Sequence, residues 1–332
     1  MTRIAFFNSQ SGVGRTTLVY HLAHLWVELG LRVLLVDLDP QSNLTAMCLT
    51  EEQLEALWRP KALDRETLLG SLQPILSGSE DTSSPHLELL RPELALVPGD
   101  LGLSRFEEHL SQAWHRALDR DQGALRTLSA LYRLVNRASA EHQAHLTLLD
   151  VGPNLGAINR AALLGADHII TPLAPDLFSA QGLRILGPTL TDWRQGWSDR
   201  IARCPTPGLE LPAGRLSPAG YLIMQAGHRL SRPLTSYPRW IQALPSTYRQ
   251  ELLGHNVDEL DTAQDPYCLG VIRHHQSLMP LALDARKPMF MLKPADGAVG
   301  ALSAAVLRCR QEFKAVATTI VQRVAPAPAP NT

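Results

Sequence analysis

A glycine-bearing turn and three aspartates are the residues of this chain whose types and spacing can do phosphate and metal chemistry. The turn is NSQSGVGRTT, residues 8–17, between an apolar run and a helical stretch. Gly12 and Gly14 let the backbone bend tightly and bring its N–H groups against an anion, and a helix starting there adds a favourable dipole. Arg15 supplies a positive charge, and Thr16 offers a hydroxyl to Mg²⁺. Downstream, LLVDLDPQSN (34–43) sets Asp37 and Asp39 at the end of a second apolar run. A third run, LTLLD (146–150), closes on Asp150. Ligands of open α/β sheets bind at the carboxyl ends of the strands, where a carboxylate can hold magnesium. Taken singly, the glycines also suit a tight βα turn and the acids suit helix caps or turns. In this order and together they argue for a nucleotide site.

The elements that position these residues are short apolar strand candidates alternating with helical stretches. Strands are expected at 3–8, 32–37, 94–97, 146–150, 168–172, 221–225 and 269–272. Helices are expected around 16–29, 101–117, 124–138, 181–194 and 298–321. In the first helix Leu18, Leu22, Leu25 and Leu29 form one stripe that Gly30 stops. This alternation predicts a doubly wound, mostly parallel α/β sheet with helices on both faces. Residues 1–324 read as one domain, with a helical insert at 51–143 decorating it. The polar stretch 78–85 and the Pro- and Gly-rich stretch 204–218 read as surface connections. Residues 325–332 (APAPAPNT) read as a disordered tail.

Composition narrows the class further. Hydrophobic residues at 45% and charged residues at 19% are ordinary for a chain with a packed core. A formal net charge of −1 gives no global attraction to nucleic acid, so DNA would need a local patch. Cys48, Cys204, Cys268 and Cys309 form no Cys-x-x-Cys pair, which argues against zinc, iron–sulfur and disulfide frameworks. The first apolar run is too short for a signal peptide or a membrane span, and the chain reads as cytoplasmic. His21, His24, His274 and His275 have no partner ligands at metal spacing and read as surface or packed histidines.

The three segments in this order resemble the ParA/Soj/MinD family of P-loop NTPases, the SIMIBI/ParA-like branch, whose loop normally reads KGGVGKTT. HIITPLAPDLFSAQGL (168–183) and LGVIRHHQSLMPLALDARKPMF (269–290) are similar to its later segments, so the likeness runs nearly end to end. The resemblance implies that Ser11, Gly12, Val13, Gly14, Arg15, Thr16 and Thr17 bind ATP or ADP. It implies that Thr16, Asp37 and Asp150 surround Mg²⁺, with Asp150 at the Walker B position. Asp39 falls on the acid that orients the attacking water, and Gln225 falls where an amide reads adenine. It further implies a homodimer in the ATP state and a partner or cargo protein.

Two departures bear on activity. The family's signature lysine, which reaches across a nucleotide-sandwich dimer, is Gln10 here, with Ser11 beside it for a glycine. The main loop lysine is Arg15, a bulkier planar fork that does not substitute conservatively in a fitted site. Losing one preorganised charge contact costs on the order of 2–4 kcal/mol in a transition state. The expectation is therefore a nucleotide-binding switch with slow or partner-stimulated hydrolysis, acting in DNA partition or cargo positioning. A non-hydrolysing scaffold is the alternative, and a metabolic enzyme of the same superfamily ranks last. Arg229, Arg232 and Arg239, with Tyr237 and Trp240, and then Arg308, Arg310 and Lys314, form basic stretches. They read either as non-specific DNA contacts or as solvated helix faces.

Overall fold

The computed structural model describes residues 1–59, 66–78, 81–203, 207–225, 237–255, 261–275 and 277–324. The expected tail at 325–332, together with Cys204, Arg229 and Arg232, lies outside the described residues. Among the described residues there are eight strands: β1 (Thr2–Phe6), β2 (Val33–Asp37), β3 (Glu88–Arg91), β4 (Leu94–Val97), β5 (Leu146–Asp150), β6 (His168–Leu173), β7 (Ser217–Gln225) and β8 (Cys268–Arg273). The first helices are α1 (Arg15–Glu28), α2 (Asn43–Cys48), α3 (Glu51–Leu57), α4 (Leu68–Leu76), α5 (Ser104–Arg116), α6 (Gln122–Leu128) and α7 (Ala130–Glu141). They are followed by α8 (Ala157–Gly165), α9 (Leu177–Arg203), α10 (Tyr237–Leu253), α11 (Met279–Asp284) and α12 (Ala301–Val324).

The strands form one sheet in the order β3-β4-β2-β5-β1-β6-β7-β8. Neighbours are parallel except for β3 against β4. This is the expected doubly wound sheet. Strands β2 (VLLVD) and β5 (LTLLD) are buried at every position, which is why their sequences run apolar rather than alternating. Successive side chains of β1 serve opposite faces. Ala5 joins the core beneath α5–α8, and Ile4 and Phe6 join the core beneath α1 and α12. The helical insert expected at 51–143 is more than a decoration. It supplies β3 and β4, and β4 pairs with β2 inside the sheet.

Helix α1 starts after Gly14, whose φ of 86° places it in the left-handed region, and it stops at Gly30 with φ 85°. Its far end is anchored by the C-terminal helix: Trp26 Nε1 donates to the Ala317 carbonyl of α12 at 3.1 Å. Nearer the loop, the fully buried His21 spans two segments. Its Nδ1 lies 2.7 Å from the Thr17 carbonyl, and its Nε2 accepts from Met289 N at 3.0 Å. Since the Met289 amide can only donate, Nε2 is the acceptor and Nδ1 carries the proton. The ring stacks on Phe313 at 5.0 Å between centroids. Of the two alternatives read from the sequence, surface or packed, His21 and His24 take the packed one, at 0% and 6% exposure.

Candidate functional site

Parallel register levels the strand ends. Phe6 of β1 and Asp37 of β2 both pair with Asp150 of β5, so the loop after β1 begins beside two aspartates. Residues 9–14 then turn over this edge, with Ser11 and Gly12 exposed and Val13 tucked in at 9% exposure. Gly12 (φ 73°) and Gly14 (φ 86°) adopt backbone conformations that L side chains resist. Among the described residues, no side chain caps the start of α1. Its first N–H groups, together with the loop amides, form a cradle suited to phosphate.

The acids lie beneath this cradle. Asp37, Asp39 and Asp150 are 0%, 3% and 0% exposed. Asp37 Oδ2 accepts from Thr45 N at 2.8 Å and from Thr45 Oγ1 at 2.7 Å, while its Oδ1 accepts from Asp39 N at 3.3 Å. Burial pushes the Asp37 carboxyl up to about 7, the charge of Asp150 adds to this, and the Thr45 hydrogen bonds oppose it. Burial also raises Asp150, with Arg15 the main opposing influence. Gly99 makes room for this packing, because a Cβ there would stand 2.9 Å from both Asp37 Cγ and Ser42 Oγ.

Arg15 turns inward among these acids and is only 7% exposed. Its Nε donates to Asp150 Oδ1 at 3.1 Å, Nη2 to Asp39 Oδ2 at 3.1 Å, and Nη1 to the Asn8 carbonyl at 3.3 Å. Gln10, which departs from the family's signature lysine, is held within its own chain. Its Nε2 donates to Asp176 Oδ2 at 3.3 Å, and its Oε1 accepts from Ser179 Oγ at 3.2 Å. Thr16 stands half-buried beside the Asp150 carboxyl. Thr17 follows it in the first turn of α1. Gln225 closes β7 at this same sheet edge, but its side chain lies outside the described residues.

A divalent metal suits what is present. Asp150 Oδ2 and Ser42 Oγ are buried with no hydrogen-bond partner among the described residues. The surrounding donors (Asp37, Asp39, Thr16) are hard oxygens of the kind magnesium takes. Residue-by-residue reading of the sequence missed Asn8, Ser42, Thr45, Asp176 and Ser179. Ser42 and Thr45 follow the acids within eight residues of Asp37, where a hydroxyl-rich stretch was a usable signal. Asp176 lies in the stretch 168–183 noted above, but at 166 residues from Gln10 nothing in the spacing joined the two.

The family model described as an AAA domain matches residues 1–201. The chromosome-partitioning ATPase Soj of Thermus thermophilus is 30% identical over 199 residues, covering 60% of this chain and 65% of that protein. The chromosome partitioning protein ParA of Caulobacter vibrioides is 29% identical over 198 residues, with coverage of 60% and 65%. The chain therefore spans less than two thirds of the length of these two relatives. Among solved structures, a protein from Corynebacterium diphtheriae superposes with a TM-score of 0.71 at 24% identity, over 98% of this chain and 99% of the other. McdA from Cyanothece, in complex with ATP, superposes with a TM-score of 0.62 at 17% identity over 100% and 99%. At these identities the structures bear on the fold alone. Among the described residues, no helix is long and apolar enough to cross a membrane.

Proposed function

The chain belongs to the ParA-like P-loop ATPase family, and on that premise we propose that it is a slow, nucleotide-switched positioning protein. The observation that carries this reading is the convergence, at one sheet edge, of an uncapped α1 N-terminus with Asp37, Asp39 and Asp150. Backbone amides of Ser11, Gly12, Val13, Gly14 and Thr17 hold the phosphates of ATP or ADP. Thr16, Asp37 and Asp150 hold Mg²⁺, which when bound neutralises charge on the phosphate oxygens. Asp39 orients the attacking water, and Gln225 reads the adenine.

Hydrolysis is slow because both cations expected around the phosphates are compromised. Arg15 is engaged with two carboxylates, and Gln10 is neutral and held in cis. Phosphoryl transfer depends on positioned charge, so rate suffers before binding does. ATP favours a homodimer that engages a partner or cargo protein, in DNA partition or in positioning of another cargo. Non-specific DNA contact draws on the exposed Arg308 and Lys314 of α12, since Arg310 is paired with Glu28 at 2.6 Å. The same two cis contacts favour a second reading, a scaffold that binds nucleotide and never turns it over.

Titration with fluorescent ATP and ADP, with and without Mg²⁺, followed by a phosphate-release assay, separates these readings. Magnesium-dependent binding with slow release that Asp39→Ala abolishes is the expected result. Binding without release, restored by Gln10→Lys with Arg15→Lys, favours the scaffold. No binding at millimolar nucleotide would sink both.

A further inference from the structure

We infer that Arg15 is a built-in cation standing where the metal's charge is needed, and that phosphate must draw it away before a divalent ion can use Asp150. The order of entry rests on the nucleotide reading above; the occupation of the carboxylates by Arg15 rests on geometry alone.

The guanidinium reaches three oxygens at once, Asp150 Oδ1, Asp39 Oδ2 and the Asn8 carbonyl, all between 3.1 and 3.3 Å. A lysine ammonium is a point charge, whereas the planar fork of arginine spans separate acceptors. The fork therefore ties β5, the loop after β2 and the loop after β1 into one cluster. A divalent ion entering this cluster meets a resident positive charge a few ångströms away. It also meets one Asp150 oxygen already in use, Oδ2 having no partner among the described residues. Metal affinity in the nucleotide-free chain is suppressed accordingly.

Phosphate changes the balance, because a guanidinium binds phosphate oxygens through the same parallel N–H groups it gives to carboxylates. Arriving at the exposed loop directly above, phosphate exchanges partners with Asp39 and Asp150. It leaves two carboxylates uncovered as it brings negative charge of its own. Phosphate and metal then favour each other's binding, and thermodynamic linkage makes that coupling reciprocal. Asp37 takes no part in the exchange, since its oxygens are held by Thr45 and by the Asp39 amide.

The test titrates Mn²⁺ alone against the full, nucleotide-free chain and reads free Mn²⁺ by electron paramagnetic resonance. Arg15→Gln should bind Mn²⁺ at least tenfold more tightly than the parent, and adding Asp150→Asn should remove the gain. Equal or weaker binding by a folded Arg15→Gln overturns the proposal. If that variant does not fold, Arg15→Lys carries the test: at least threefold tighter binding is expected, and unchanged affinity overturns it. Fluorescent ADP binding to the parent chain in saturating Mg²⁺ is measured alongside. Absent ADP binding with the Mn²⁺ gain intact removes the nucleotide reading and leaves the Arg15 reading standing. ADP binding without the gain does the reverse.

Discussion

Two buried polar clusters flank the start of α1, and they resolve burial in opposite ways. Around His21, every polar end is satisfied by backbone. Burial lowers its pKa to about 4, so the ring is neutral and lies stacked among aromatics. Around Asp37, Asp39 and Asp150, two of the three carboxyls share one guanidinium, Asp37 is pushed up to about 7, and one Asp150 oxygen has no partner among the described residues. The His21 ring is finished by the fold, with both nitrogens on backbone groups. The second is left incomplete, as sites built for a ligand commonly are.

The largest expected effect breaks the incomplete cluster. Arg15→Leu leaves two buried carboxyls without a countercharge and should cost about 3–5 kcal/mol in guanidinium unfolding of the nucleotide-free chain. Magnesium should return part of that loss in the variant and give little to the parent; equal effects in both would remove the contrast. His21→Leu should cost less, about 1–3 kcal/mol, for stranding the Met289 amide. That loss should show no response to magnesium.

The pH dependence sharpens the comparison because the two clusters pull in opposite directions. Asp37 has its folded pKa raised from 3.8, so the folded chain holds a proton that the unfolded chain releases. Its contribution to stability is full below pH 3.8 and is lost as pH rises towards 7. His21 and His24 have folded values lowered to about 4 and about 3, so their contribution is present above pH 6.5 and is lost on acidification. Removing the Asp37 term with Asp37→Asn should therefore steepen acid destabilisation between pH 6.5 and 4. The change is at most about 1.4 kcal/mol per pH unit. An unchanged slope in thermal melts would mean that Asp37 is ionised in the fold. Smallest of all, a double-mutant cycle on the surface pair Glu28–Arg310 should give less than about 1 kcal/mol, since only burial gives the other sites their size.

The sheet and its ligand edge were legible because their signals are local. An apolar run ending in aspartate marks both a buried parallel strand and the end at which ligands gather, and β2 and β5 each carry that signature. Strand β3 was not legible: ELLR is short, partly exposed and antiparallel, with none of the apolar continuity of its neighbours. Helix α10 was masked by Pro245 inside it and by the basic aromatic residues at its start. The main surprise of the site, Arg15 facing down to carboxylates rather than up to the loop, depends on residues 24 and 135 positions away in the chain. Spacing along the sequence names the participants in such a contact but not the direction a side chain takes.

Strand β1 lies between β5 and β6, and its pairing begins with Thr2 opposite Leu146. During synthesis its first partner emerges only after some 140 intervening residues. At typical elongation rates that delay is on the order of ten seconds. Through that interval β2 and β4 can pair, while the glycine turn has no strand ends to rest on. The segment that would grip a phosphate thus waits on a strand far downstream, and a nascent chain that has not reached β5 presents no finished cradle.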